Sequence, residues 1–461
     1  MIICPACGAD MHFSPASQLL VCDYCDTTLS PNDYAESEGL LTNDSEYYDT
    51  TIFSCPQCGG EIMNTEETAA TFCSYCGASV QLMSRMGKEK RPAKIIPFSI
   101  DTQQCQENFK KRVRRAIFAP AFLRKDSEIE KFRGIYMPYW SYGFTVDQKL
   151  YGEGTTSKRK GDYIITDHYR LEANANGEYD GISFDSASNF DDEISEGISP
   201  FATKEAKDFD PAYLSGFYAD RGDVAASVYS ADAVEYLKTD VANSFKAIPA
   251  FRGVTIEGDK IRERVSPDNE KHSSVLYPVW FLTNHFGKDR VAYAVANGQT
   301  GKIAADIPID PKRYLIISLI VALPIFLILN ALPAMEPGQM IFYAMILHLI
   351  GTVIAIYQDI KIDRRERRAN DKGYNSTHAE EEGSRGGSVF KMGKYLYHFL
   401  LLFACFILFI ISLPSDIIYY GCCAAVMIGI GISYIGIIRQ YNLLSTHKMP
   451  QLEKRGGDEN E

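Results

Sequence analysis

Eight cysteines near the start of the chain carry its clearest chemistry. Cys4, Cys7, Cys22 and Cys25 form a C-x2-C-x14-C-x2-C set, and Cys55, Cys58, Cys73 and Cys76 repeat it with every member displaced by 51 residues. Each half opens on a CPxCG knuckle, "CPACG" and "CPQCG". A two-residue spacer turns both thiols of a knuckle toward one point, and Gly8 and Gly59 relieve the turn behind them. Two such knuckles supply four sulfurs in a tetrahedron, the ligand set of structural zinc; rubredoxin-like iron is the alternative on the same ligands. All four positions are filled by protein, which argues against a catalytic metal with an open site. Matched pairs also argue against a redox C-x-x-C. His12 lies near the first set but is not needed as a ligand and reads as a surface residue. A unit of about thirty residues buries too little to fold unaided, so the metal would supply on the order of 10 kcal/mol of folding free energy.

Charge restricts what such ribbons can bind. Residues 1–84 hold twelve Asp and Glu but no Lys or Arg. A Zn(Cys)4 centre adds a formal charge of about -2. Affinity for nucleic acid depends on cations replacing counterions at phosphates, so these ribbons are expected to bind protein instead. The net charge of -12 over 461 residues points the same way. The amino end shows no secretory signal and is expected to stay in the cytoplasm, where twelve Cys favour metal ligation over disulfides.

The elements that hold these sites follow from patterning. Residues 1–31 and 52–84 are expected as zinc ribbons 1 and 2, joined by an acidic linker at 32–51. Residues 95–313 are expected as an α+β cytoplasmic domain. Asp101 can cap a helix carrying the dense basic block Lys110, Lys111, Arg112, Arg114 and Arg115, read as a solvated face, with anionic lipid heads or an acidic ribbon as sharper alternatives. "FRGIYMPYWSYGFTVDQKLYGEG" and "GDYIITDHYRLEA" read as a hairpin. Both tryptophans sit in Pro-x-Trp, at Pro138–Trp140 and Pro278–Trp280, which points to duplicated β units. Val224, Val228, Ala231, Val234, Leu237, Val241 and Phe245 recur at helical spacing and predict a helix packed on the sheet. The acidic "NFDDEISE" at 189–196 reads as a loop of solvated charge, with cation binding as the alternative. Cys105 reads as a packing residue.

Four apolar runs without Asp, Glu, Lys or Arg, at 314–334, 340–357, 395–413 and 417–438, predict a four-helix transmembrane bundle. The loop at 358–394 carries nine Lys and Arg, and the tail at 439–461 carries four. The short turns between the runs carry none, so loop, tail and amino-terminal region are expected on the cytoplasmic side of the inner membrane. His348 and His398 read as an interhelical hydrogen bond in preference to a proton path. Gly421, Ala425, Gly429 and Gly431 point to close helix packing, with a homo-oligomer as one outcome, and Cys405, Cys422 and Cys423 to small apolar filling. No catalytic machinery is legible. "GEGTTSK" at 152–158 is followed by Arg159 where a phosphate loop needs Ser or Thr, and in "NGQTGKI" Ala296 stands where the first Gly belongs. The chain is therefore expected not to be an enzyme.

The paired CPxCG knuckles, "IYMPYW" at 135–140, "LYPVWF" at 276–281, "NGQTGKIAADIP" at 297–308 and the terminal apolar helices resemble the bacterial TFIIB-type zinc-ribbon membrane proteins, some of them labelled primosomal-protein N′ (replication factor Y) helicase-like. The resemblance implies the eight cysteines as ligands of two structural zinc ions. It also implies phage-shock-type membrane-remodelling proteins and flotillin-like SPFH proteins as partners. The missing phosphate loop sets this chain apart from any helicase. The expected function is a membrane-anchored adaptor that presents a cytoplasmic protein-binding surface. The alternatives are a sensing or gating part of a transporter or channel, and a membrane-tethered nucleic-acid binder using the basic helix.

Overall fold

The computed structural model describes residues 2–37, 46–64, 73–78, 82–188, 190–287, 289–330, 337–368, 395–411 and 416–450. Parts of the linker at 32–51 and of both short turns lie outside them, as do most of the loop at 358–394 and the tail beyond 450.

Strands β1 (Met11–Ser14), β2 (Leu19–Cys22) and β3 (Thr28–Leu29) make a small antiparallel sheet. The other thirteen strands share one sheet: β4 (Tyr47–Ser54), β5 (Glu61–Asn64), β6 (Met83–Lys90), β7 (Lys94–Ile95), β8 (Arg133–Lys160), β9 (Tyr163–Asp185), β10 (Lys207–Asp208), β11 (Tyr218–Ala219), β12 (Thr255–Ile256), β13 (Asp268–His285), β14 (Arg290–Asn297), β15 (Ile303–Ala305) and β16 (His447–Lys448). The helices are α1 (Pro31–Ser37), α2 (Thr102–Arg115), α3 (Asp126–Ile129), α4 (Asp192–Ile198), α5 (Ser230–Lys246), α6 (Gly258–Arg264), α7 (Pro311–Asn330), α8 (Pro337–Arg368), α9 (Leu396–Ile411) and α10 (Asp416–Leu444).

The two aromatic strands lie side by side. β8 and β13 pair antiparallel with Met137 opposite Tyr277, so Pro138 faces Leu276 and Pro278 faces Tyr136. The two Pro-x-Trp segments are thereby related by a local twofold through Met137 and Tyr277. Each strand then turns into its own hairpin partner, β9 on β8 and β14 on β13. The tryptophan bonds follow the same exchange: Trp280 Nε1 donates to the Ile100 carbonyl just before α2 (2.8 Å), and Trp140 Nε1 to the Val224 carbonyl ahead of α5 (2.7 Å). Gly134, directly opposite Trp280, makes room for a cluster of Phe98, Phe217 and Trp280. A Cβ there would come within 2.4 Å of the Phe217 ring. Gly134→Ala is expected to destabilise the domain by about 1–3 kcal/mol through overpacking, read from urea unfolding of the purified protein.

Local signals account for the helices and for two departures from expectation. Asp101 caps α2, accepting from Gln104 N at 2.8 Å, while Cys105, Phe109 and Val113 face the core. Burial pushes the Cys105 thiol up, as a packing residue requires. α5 begins only at Ser230, so Val224 and Val228 reach the same core from the segment before it. Ala233, not Ala231, then takes the buried position. The acidic 189–196 segment is not a solvated loop. Asp191 caps α4, and Asp191 and Glu193 face basic groups from the carboxyl-terminal third.

Among the described residues, two helices are long and apolar enough to cross a membrane: Pro311–Ile328 in α7, none of it buried, and Ile341–Ile362 in α8. This is fewer than the four expected. α9 is described over Leu396–Ile411, with His398–Ile407 as its apolar stretch. α8 also runs on to Arg368 instead of ending at 357, since "QDIKIDRRERR" contains no Gly or Pro to stop it. α8 packs on α9 and α10. His398 Nδ1 and His348 Nε2 lie 3.2 Å apart between helices, in room left by Gly429, where a Cβ would meet Leu401 at 2.8 Å and His348 at 3.2 Å. Nearer the soluble domain, Gln440 Nε2 donates to Asp359 (2.6 Å), which also receives the Tyr395 hydroxyl.

The apolar helices meet the soluble domain at one end. Asn442 bonds both the N–H and the carbonyl of Ile309 (2.7 and 3.0 Å), and Arg313 donates to the Ala119 carbonyl (3.1 Å). Past α10 the chain returns as β16 on the edge of β14, with His447 opposite Val291. Arg290 holds this return, its guanidinium bonding Thr446 Oγ1 (2.7 Å) and the Leu443 carbonyl (2.8 Å). Arg365, near the end of α8, reaches Glu193 (3.1 Å), Asp306 (4.0 Å) and His447 Nε2 (2.9 Å).

Candidate metal centres

All four knuckles are the same hydrogen-bonded turn. In the first, Gly8 N donates to Cys4 O (2.9 Å) and Cys4 N to Ala9 O (2.7 Å). The pattern recurs from Asp26 to Cys22 (3.0 Å), Gly59 to Cys55 (2.9 Å) and Gly77 to Cys73 (2.9 Å). The residue after the second cysteine takes a left-handed conformation each time: Gly8 at φ 77°, Gly59 at 75°, Gly77 at 72° and Asp26 at 56°. Glycine reaches this region without strain, whereas Asp does so at some cost. Gly59→Val is therefore expected to lower stability by about 1–2 kcal/mol, and Asp26→Gly to be neutral or slightly stabilising. Thermal melts of both variants at saturating zinc check the pair.

The eight sulfurs gather as two groups of four, each with all ligand atoms within 4.8 Å of one another, and each group can hold a metal ion. Cys4 and Cys25 sulfurs lie 3.6 Å apart and Cys7 and Cys22 3.5 Å; in the second group Cys55 and Cys76 lie 3.8 Å apart and Cys58 and Cys73 3.6 Å. A tetrahedron with Zn–S bonds of about 2.3 Å has sulfur–sulfur edges of about 3.8 Å, so the donor set and its size fit such an ion. Sulfurs this close do not titrate alike. The Thr27 hydroxyl, 3.1 Å from Cys25, holds that thiol down to about 6. In the second group the coupling among the sulfurs pulls Cys76 down while it pushes Cys73 up. Cys25 and Cys76 are thereby biased toward the thiolate that binds metal.

The two centres sit in different surroundings. The second has all four cysteines buried, in a cluster with Phe53, Ile62, Tyr75 and Leu82. Its strands pair onward into the main sheet. β5 pairs with β4, β4 with β6, and β5 joins β11, which lies parallel to β8, so this ribbon continues the main sheet. Its second knuckle rests on the β13–β14 hairpin. Thr283 Oγ1 donates to the Ser74 carbonyl, Tyr293 Oη donates to Tyr75 O at 3.1 Å, and the Tyr75 ring packs edge-on to Phe281. Burial, with the nearby Asp306 charge, keeps the Tyr293 hydroxyl protonated as that donor.

The first centre is half open. Cys4 and Cys22 are buried while Cys7 and Cys25 are exposed. Its base docks on the domain: Phe13 N donates to Ser215 O (3.1 Å), Ser215 Oγ to Met11 O (2.6 Å), and Gln18 Nε2 to Phe98 O (2.6 Å). Its tip projects Tyr24, 83% exposed, and Ile3, 50% exposed, among exposed Asp10, Asp23 and Asp26. His12 is no ligand; its Nδ1 lies 3.4 Å from Asp23.

Acidity is not shared evenly between the ribbons. Around the second, three of the described acids have basic partners on β6 just after it: Glu61 with Arg85 (3.4 Å), Asp49 with Lys88 (4.0 Å) and Glu46 with Lys90 (3.5 Å). At the tip of the first ribbon, by contrast, exposed Asp10, Asp23 and Asp26 have no Lys or Arg partner among the described residues. Sequence reasoning also missed the tip of the β8–β9 hairpin. Tyr163, Ile164 and Ile165 stand there 78%, 72% and 48% exposed, just after the left-handed Gly161. The readable signal was a run of β-formers directly after a Gly-Asp turn.

No family model and no solved structure matches the chain. It is similar to the uncharacterized protein YdjG of Bacillus subtilis (strain 168), 27% identical over 315 residues that make up 67% of this chain and 89% of YdjG.

Proposed function

We propose that the protein is a membrane-anchored adaptor in which two structural zinc ions hold ribbons of unlike purpose: the buried one braces the sheet and the half-open one displays a binding tip. The observation that carries this reading is the contrast in burial between two centres of identical spacing. A purely structural ion gains nothing from an exposed rim, whereas a rigid acidic tip bearing an exposed Tyr and Ile suits recognition of a basic or amphipathic partner segment. The exposed hairpin tip at Tyr163–Ile165 offers a second apolar contact.

In this proposal the four apolar segments anchor the domain in the inner membrane, with both termini and the 358–394 loop cytoplasmic. Two observations support the shared side: the start of α7 and the ends of α8 and α10 all contact the soluble domain, and Lys and Arg concentrate beyond those ends. Through the resemblance to TFIIB-type zinc-ribbon membrane proteins, the partners proposed are phage-shock-type or flotillin-like SPFH proteins. A second reading, a sensing or gating membrane component, draws on the His348–His398 pair and on the Asp359–Tyr395–Gln440 group, since ionisable side chains between membrane helices commonly serve transport.

The test is a photo-crosslinking amino acid placed at Tyr24, with the same probe at Tyr236, an exposed residue of α5, as the control. The adaptor reading expects a discrete protein adduct in cells at Tyr24 and none at Tyr236, with two zinc per purified chain. No adduct at Tyr24 together with ion flux through reconstituted vesicles would favour the gating reading instead.

A further inference from the structure

The basic block on α2 divides into residues with partners and residues without. Lys110 bonds Asp126 (2.7 Å) and Lys111 lies 4.0 Å from Glu107. Arg112, Arg114 and Arg115 are exposed, and no ion pair to them occurs among the described residues. Arg112 and Arg115 line a cleft of about 600 Å3, whose other walls include Ile117, Phe118, Ile307 and Tyr441. The carboxylate in that lining, Asp306, is engaged elsewhere: it accepts from Tyr293 N (3.0 Å) and faces His447 (3.1 Å).

The level of the cleft is set by chain continuity. Its wall at residues 305–309 ends two residues before Pro311, where the unburied apolar stretch of α7 begins. Phe118 packs against Tyr314 in the first turn of that helix, with ring centroids 4.8 Å apart. Wherever α7 enters a bilayer, a cleft this close to its start lies near headgroup depth, and its lining combines two guanidiniums with apolar side chains. Guanidinium forks match phosphate oxygens bidentately, and anionic headgroups concentrate at this level of a cytoplasmic leaflet.

We propose that this cleft binds one anionic phospholipid, its phosphate held by Arg112 and Arg115 and the start of its chains lying against Ile117 and Phe118. The proposal rests on the membrane-anchored reading above. It assigns part of the basic helix a specific ligand in place of bulk solvent.

The experiment uses the full chain in uncharged detergent and native mass spectrometry with dioctanoyl phosphatidylglycerol, dioctanoyl phosphatidylcholine or glycerol phosphate. The expected result is one phosphatidylglycerol retained at least tenfold more strongly than phosphatidylcholine. Arg112→Gln with Arg115→Gln should abolish that preference, while Arg114→Gln, outside the lining, should keep it. Equal retention of the two lipids, an undiminished preference in the double variant, or displacement of the lipid by equimolar glycerol phosphate would each overturn the site. Carbonate-resistant pelleting of the wild type separates the two readings. Recovery of the chain in the soluble fraction refutes membrane anchoring itself, whereas pelleting without headgroup preference refutes the lipid site alone.

Discussion

Replacing Cys73 by Ser is expected to cut the metal content from two ions per chain to one and to unfold the protein at a much lower temperature, whereas Cys7→Ser costs an ion but little of the melting temperature. Both changes remove one thiolate from a closed set, and structural zinc commonly supplies on the order of 10 kcal/mol of folding free energy. The difference lies in what each knuckle supports. Cys73 is buried, and the turn it opens carries Ser74 and Tyr75, which fix Thr283, Tyr293 and Phe281 on the central hairpin. Losing that ion frees the β13–β14 face of the main sheet. If about 4 kcal/mol of its contribution is felt by the whole domain, the melting temperature falls by about 10 °C. Cys7 is exposed at a tip whose base stays docked through Phe13 and Ser215, so its loss frays the tip and leaves the sheet. Metal analysis and calorimetry on the two variants decide the matter; equal drops in melting temperature would show that the ribbons carry equal structural load.

The two four-cysteine clusters were legible in the sequence because thiolate chemistry announces itself locally. Spacing of two residues within a knuckle and Gly8 or Gly59 behind it are short-range requirements, and the structure meets them. Asp26 follows Cys25 where the other three knuckles have glycine, but only the backbone angle reveals that it takes the same left-handed turn. The aromatic strands and the Asp101 cap were readable for the same local reason. What failed to show was pairing at a distance. Ribbon 2 joins the main sheet through one contact of Ala219 with Met63, made by a strand of two residues with no pattern of its own. The acids at 191–193 looked solvated because Arg365 and His447 come more than 150 residues later. The end of α8 was misplaced because hydropathy marks where a helix leaves an apolar medium, not where its hydrogen bonds stop.

Arg365→Ala is the change expected to loosen the join between the apolar helices and the soluble domain. The side chain sits among Glu193, Asp306 and His447, and it also donates to the carbonyl of Leu444 at the end of α10. Removing it leaves Asp306, largely buried, to rely on His447 and the Tyr293 N–H. Breaking a fully buried pair from one side costs about 3–5 kcal/mol. Here Arg365 is 18% exposed and Glu193 72%, so solvent screens part of the loss and about 2 kcal/mol is expected. The effect should be directional. Amides of α4 and of β16 should exchange faster, because those segments lose the cation that ties them together, while the zinc ribbons keep their protection. A double-mutant cycle with Asp306→Asn isolates the contact and should return a coupling of about 1 kcal/mol or more. Faster exchange confined to α8, with α4 and β16 unchanged, would mean that Arg365 stabilises only its own helix and that β-pairing of the returning chain makes the join.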